Sequence, residues 1–202
     1  MNRNRLVLAG FCFLFATATR LPAQGNTAEV FGGYSYTRAN PEVPLPKESM
    51  NGWMGGVTGY LNKYIGASVE IGAGFGTAAA PQNIGGTALN YKIYSYMAGP
   101  QFRVYDTKRI QAHAKWLFGG AFGQANLPGG ISADKVQALA QAGYTGFNQT
   151  KFAMLVGFPV DVSVSKLVAF RFEPGIFITD FSKTKQSNFR MSFGPVFRFG
   201  GK

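Results

Sequence analysis

From residue 65 to residue 75 the chain alternates strictly: Ile65, Ala67, Val69, Ile71, Ala73 and Phe75 fall on odd positions, with Gly66, Ser68, Glu70, Gly72 and Gly74 between them. A period of two sends these sets to opposite faces of an extended strand. The pattern returns over residues 151–165, where Phe152, Met154, Val156, Phe158, Val160, Val162 and Val164 oppose Ala153, Gly157, Asp161, Ser163 and Ser165. Residues 110–122 set Ile110, Ala112, Ala114, Trp116, Phe118 and Phe122 against Gln111, His113, Lys115 and Gly119. Residues 168–178 set Val168, Phe170, Phe172, Ile176 and Ile178 against Arg171, Glu173 and Gly175. Residues 94–105 and 189–199 behave alike, while 29–38 and 52–62 are fainter because glycine dilutes both faces. The pattern predicts eight strands, each near the roughly 9–11 residues that a tilted transmembrane strand needs.

The connections predicted between these strands are unequal in a regular way. Asn62-Lys63-Tyr64, residues 106–109 and residues 165–167 are short turns, whereas 39–50, 77–91 and 126–150 are long loops and 181–186 a shorter one. Short turns alternating with longer loops are the habit of transmembrane barrels, with turns periplasmic and loops extracellular. Within the longest loop, residues 132–143 break the strand period. Ser132 is placed to cap a short helix with Val136, Leu139 and Ala140 on one stripe, Ile131 stapled against Val136, and Gly143 at the stop. That segment reads as a cover over the barrel mouth before it reads as a recognition element.

A soluble lipocalin-like barrel also has eight alternating strands. The polar face decides between the two: it is mostly glycine, serine and alanine, whereas a water-facing surface needs many charges. Only 14% of the 202 residues are charged, against roughly 25% in a soluble domain. The Phe, Trp, Val and Ile of the other face are too bulky to fill an eight-stranded interior together, and they suit lipid. Tyr34, Tyr36, Trp53, Tyr94 and Phe122 would lie near the outer rim and Phe102 and Phe199 near the inner one. No window reaches the roughly 18 apolar residues of a spanning helix, and a membrane protein without spanning helices must be a closed barrel. The fold class is therefore all-β, an eight-stranded antiparallel up-and-down transmembrane barrel.

The N-terminus has the form of an export signal. Two arginines stand in residues 1–5, residues 6–18 are uncharged and mostly apolar, and small residues lead to Ala23. Cleavage after Ala18 and after Ala23 both fit; Ala23 is preferred because the first strand begins soon after it. The expected organisation is a signal peptide over 1–23 and a barrel domain over 24–202. Cys12, the single cysteine, leaves with the signal, so no disulfide is expected. Arg3, Arg5 and Arg20 leave too, reducing 20 bases to 17 against 9 acids, a net +8. The bases are scattered singly without a recognition helix or stacking platform, so no nucleic-acid partner is expected.

The run Ser192-Phe193-Gly194-Pro195-Val196-Phe197-Arg198-Phe199 resembles the C-terminal assembly signal of outer-membrane barrels, carried by Ser192, Gly194, Phe197 and Phe199. Phe31-Gly32-Gly33-Tyr34-Ser35-Tyr36 and Ala98-Gly99-Pro100-Gln101-Phe102 resemble the same group. That group is the small eight-stranded family similar to the transmembrane domain of outer-membrane protein A, and the likeness runs over essentially the whole of 24–202. It implies residence in a Gram-negative-type outer membrane, a monomer, and two partners: outer-membrane lipid and the barrel assembly machinery. With no wall-binding domain following the barrel, the wall-tethering role of longer relatives is not expected.

Parity places Glu70, Arg103, His113, Lys115, Asp161, Arg171, Glu173 and Arg190 on the lumen face. An eight-stranded interior is narrow enough for side chains to meet across it, and charges there need partners. Glu70 and Glu173 are expected to bond some of Lys115, Arg171 and Arg190, with Asp161 beside Arg171 across a short turn. His113, the single histidine, reads as a member of that network rather than a base. No nucleophile–base–orienter set, metal-ligand cluster or phosphate-binding glycine loop is visible, so neither an enzyme nor a cofactor is expected. The sequence favours a structural or surface protein with a plugged polar lumen. A small passive channel and a loop-mediated adhesin or binding module are the alternatives.

Overall fold

A computed structural model describes residues 28–40, 48–79, 88–126, 147–180 and 186–200, with Ala133, Asp134 and Gln137 between. The export signal lies outside the described residues. So does most of segment 132–143, of which Ala133, Asp134 and Gln137 are helical.

Among the described residues nine strands form one antiparallel sheet: β1 (Ala28–Ala39), β2 (Glu48–Tyr60), β3 (Ile65–Ala79), β4 (Ala88–Asp106), β5 (Ile110–Asn126), β6 (Phe147–Gly157), β7 (Val160–Ser163), β8 (Val168–Thr179) and β9 (Gln186–Phe199). Each strand pairs with its neighbour in sequence, save that β6 and β7 both bridge β5 and β8 as two halves of one stave. β1 pairs with β9 from Ala28↔Phe199 to Arg38↔Phe189 and closes the ring. The result is an eight-stave barrel with no free edge along its closed section, the remedy for sheet edges that would otherwise template aggregation.

The break in the sixth stave has a local cause. Pro159 has no N–H to give the ladder, but its carbonyl accepts from His113 N at 2.8 Å, and Phe158 N donates to the Pro174 carbonyl at 2.9 Å. Side-chain parity survives the break, with Gly157 and Asp161 both buried. In β4 the register shifts between Arg103 and Tyr105. This bulge turns Val104 and Tyr105 outward together while Arg103 stays inside. Tight curvature needs glycine where strands crowd on the inner face. A Cβ on Gly33 would sit 2.2 Å from the Phe193 carbonyl oxygen, and one on Gly194 2.2 Å from that of Gly32.

Two expectations need correction. The strands are longer than a membrane span requires, 19 residues in β4 and 17 in β5, so the loops begin later than the sequence pattern suggests. Because β3 pairs with β4 as far as Ala79↔Ala88 and β5 with β6 as far as Ala125↔Phe147, β3–β6 form a taller wall on one side. The second correction concerns the lumen. It is charged only toward the turns; toward the loops, Met97, Leu117, Ala121, Ala153, Leu155 and Phe177 pack as a buried apolar cluster, beside the buried but uncharged Thr37, Thr179 and Asn188.

Candidate functional site

The densest cluster of charged groups among the described residues lies inside the barrel. The four acids Glu29, Glu70, Asp161 and Glu173 and the five bases Arg103, Lys115, Arg171, Arg190 and Arg198 each expose 5% or less of their side chains. They sort into two groups.

The first is a four-membered ring. Lys115 Nζ lies 2.7 Å from Glu70 Oε2 and 2.6 Å from Glu173 Oε1. Opposite it, Arg190 Nη2 lies 2.6 Å from Glu70 Oε1 and 3.4 Å from Glu173 Oε1. Signs alternate around the ring, so each charge is flanked by two opposite ones. The four residues come from β3, β5, β8 and β9, and the ring spans the lumen from wall to wall. Gly157 makes room beside it, since a Cβ there would stand 3.2 Å from Glu173 Oε1.

The second group lies nearer the turns. Arg171 holds Asp161 through two hydrogen bonds, from Nε at 2.7 Å and from Nη2 at 2.9 Å, the bidentate fork that a guanidinium makes best. The same Nη2 reaches Glu29 Oε2 at 2.8 Å. Arg198 Nη2 donates to Asp161 at 3.0 Å, and Arg103 Nη2 to Glu29 at 3.3 Å. Tyr60 donates to Glu29 at 3.2 Å and accepts from Gln101 Nε2 at 2.8 Å, while the Arg103 guanidinium stacks 4.3 Å from the Tyr60 ring centroid. His113 sits among them, Nδ1 3.2 Å from the Tyr60 hydroxyl and Nε2 3.6 Å from Asp161. Asp106, at the rim itself, neutralises Arg103 further, at 3.7 Å. This group ties β1 to β2, β4, β8 and β9 through one carboxylate, that of Glu29.

Above the ring the lumen loses its charges and becomes largely apolar, with Thr179 and Asn188 as buried polar residues. On β4, β5 and β8 the residue toward the loops changes from charged or polar to apolar: Gln101 to Met97, Lys115 to Leu117, Glu173 to Phe177. The Arg190 guanidinium stands 5.8 Å from the Phe177 ring centroid, at the boundary between the two layers. A smaller apolar group, Phe31, Met54, Ala169 and Val196, fills the side under β1, β2, β8 and β9. A cavity lined in part by Thr37, Met50, Met54 and Phe177 holds about 20 Å³, room for one water.

All eight lumen residues singled out by parity face inward, and the structure brings all of them into these two groups. Sequence reasoning missed Glu29, Arg198, Tyr60 and Gln101. Parity with Arg190 and Ser192 would have found Arg198; Glu29 is harder, since the next inward residue on β1 is Phe31. Ser192 and Gly194 face inward, and Phe197 and Phe199 outward at the turn end of β9.

Glu29, His113 and Asp161 offer ligand atoms within 4.8 Å of one another. A divalent cation does not fit there. The two carboxylates are already engaged by Arg103, Arg171 and Arg198, so a metal would add charge to a site whose acids are neutralised.

No family model matches the chain, and no curated protein sequence does. Solved structures do. Neisserial surface protein A superposes with a TM-score of 0.64 at 13% identity, over 86% of this chain and 97% of that one. Ail, the attachment invasion locus protein of Yersinia pestis, gives 0.55 at 14%, over 86% and 99%. The outer membrane protein OprG from Pseudomonas aeruginosa gives 0.55 at 9%, over 89% and 98%. At such identities the likeness is one of fold: the chain has the fold of small outer-membrane β-barrels.

Proposed function

We propose that the chain is an integral outer-membrane protein whose barrel serves as a closed, rigid scaffold, exported by its N-terminal signal and inserted by the barrel assembly machinery. One observation supports this reading: across the described strands, two charge groups toward the turns and packed, mostly apolar side chains toward the loops occupy the lumen. Bulky outward residues support the lipid contact. Trp53, Trp116, Phe118, Phe152, Phe170 and Phe193 are 43–57% exposed on the wall, where water would disfavour them and acyl chains would not. No helix among the described residues is long and apolar enough to cross a membrane, so spanning falls to the strands. Cell fractionation and gel mobility test the reading together. The protein should sediment with outer membranes and migrate differently before and after boiling; a detergent-independent soluble monomer would contradict it. Phe197→Ala combined with Phe199→Ala should lower outer-membrane levels if that outward aromatic pair is read by the assembly machinery.

A second reading, surface binding at the loop end, is favoured by the tall β3–β6 wall. At its edge a groove of about 420 Å³ is lined by Ser49 and Asn51 of β2, Phe75 and Thr77 of β3, and Asn90, Tyr91 and Lys92 of β4. Ail, one of the structural neighbours, is named for attachment and was also solved with a heparin analogue. Deleting residues 127–146 should abolish attachment to a surface while leaving heat-modifiable mobility intact. Attachment undiminished by the deletion would remove this reading.

A further inference from the structure

Three hairpin turns close the end of the barrel opposite the long loops: residues 61–64, 107–109 and 164–167. Every one of them carries exposed positive charge: Lys63 on the first, Lys108 and Arg109 on the second, Lys166 on the third. Glu29 and Asp161 are buried at this end, so the exposed acid described there is Asp106, and it is occupied by Arg103 at 3.7 Å and by Gln111 Nε2 at 2.8 Å. No ion pair joins the four turn bases to an acid among the described residues. The opposite end is mixed in sign, with Arg38 and Lys92 exposed alongside Asp134 and Asp180.

The turn bases do not stand in a polar setting. Leu61 and Tyr64 flank Lys63, Tyr105 and Ile110 flank the second turn, and Val164 and Leu167 flank Lys166, all 44–71% exposed. A rim meeting only water has no reason to carry large apolar side chains beside every cation. A membrane interface has one: apolar groups enter the acyl boundary while cations on flexible stems reach the phosphates. Lys63 Nζ lies 5.4 Å from the Tyr64 ring centroid, which keeps its charge at the level of an interfacial aromatic.

We propose that this turn-bearing rim binds the phosphate headgroups of anionic phospholipid, with Lys63, Lys108, Arg109 and Lys166 as the contacts. The proposal rests on the membrane-spanning reading above. Each base near an anionic surface contributes about a fivefold preference, screened by salt.

The test uses the refolded protein in nanodiscs of phosphatidylcholine alone and of phosphatidylcholine mixed with phosphatidylglycerol, with co-released lipids counted by native mass spectrometry. Phosphatidylglycerol should be retained above its share of the bilayer, and less so at high salt. The combined variant Lys63→Gln, Lys108→Gln, Arg109→Gln and Lys166→Gln should lose that enrichment, while Arg38→Gln with Lys92→Gln should keep most of it. The single variants Lys63→Gln and Lys166→Gln should each lose about fivefold, and they carry the test if the combined variant does not insert. Insertion without enrichment overturns the inference and leaves the membrane reading standing, whereas failure to insert into either bilayer overturns both. Equal losses from the two ends would assign the effect to overall charge. Retention on isolated cell-wall polymer with no lipid enrichment would assign the rim to a different partner. Either result overturns the proposal.

Discussion

The two halves of the lumen fill the same narrow space by different physics. Toward the turns, four acids and five bases interlock, and Asp106 supplies a fifth acid at the rim. Toward the loops, Leu117, Leu155, Phe177 and Met97 pack without any charge. Ion pairs are directional and all-or-none: a charge whose partner is removed stays buried and uncompensated. Apolar packing is graded, and a lost methylene leaves a cavity whose size sets the penalty. The charged half also joins strands far apart in sequence. Glu29 on β1 reaches Arg103 on β4 and Arg171 on β8, so it registers the first strand against the rest. The apolar half joins β4, β5, β6 and β8, the side on which the wall is tallest.

The largest effect should come from breaking the charged half at Asp161, which holds two guanidinium groups. Asp161→Ala leaves Arg171 with Glu29 alone and Arg198 with a single 3.9 Å contact to that same carboxylate, and should cost about 3–5 kcal/mol, read as a lowered urea midpoint of the folded barrel in lipid vesicles. A midpoint within error of wild type would mean that the group contributes nothing to closure. Next, Leu117→Ala should cost about 2–4 kcal/mol, and because its cavity is apolar the loss should be insensitive to salt. A double-mutant cycle sharpens the contrast. Glu70→Ala alone leaves Lys115 and Arg190 sharing one glutamate, while Glu70→Ala with Lys115→Ala leaves Arg190 paired to Glu173. The double variant should therefore recover about 1–2 kcal/mol relative to additivity, and strict additivity would show the ring to be uncoupled. The smallest effect belongs to Leu117→Met, below about 1.5 kcal/mol by the same denaturation assay, since shape can adapt in the apolar half in a way that charge cannot in the other.

The sequence carried these halves unequally. Staves and turns are legible because lipid on one face and a crowded interior on the other force strict alternation, as over residues 65–75. Charged lumen residues stand out against apolar neighbours: Lys115 precedes Trp116, and Glu173 follows Phe172. The apolar lumen residues do not. Leu117 lies between Trp116 and Phe118, Leu155 between Met154 and Val156, and Phe177 between Ile176 and Ile178, so inward and outward positions look alike and parity must be carried across from the charged stretch. Glu29 was obscured by the glycines and Phe31 of β1, and Arg198 by the aromatics that mark the assembly signal. Strand ends were underestimated because β4 and β5 pair beyond any length that a bilayer dictates. The sixth stave read as continuous because Phe158 and Pro159 interrupt the ladder without changing side-chain parity.

A filled lumen should not conduct, and planar-bilayer recording of the refolded wild-type protein tests that most directly. The packing of Lys115, Glu70, Arg190 and Glu173 beneath Leu117, Leu155 and Phe177 predicts a silent membrane with at most rare, small openings, and more frequent openings when Glu70→Ala is combined with Leu117→Ala. Steady ohmic conductance from wild type, left unaltered by that double substitution, would contradict the closed-barrel account and put a passive channel in its place.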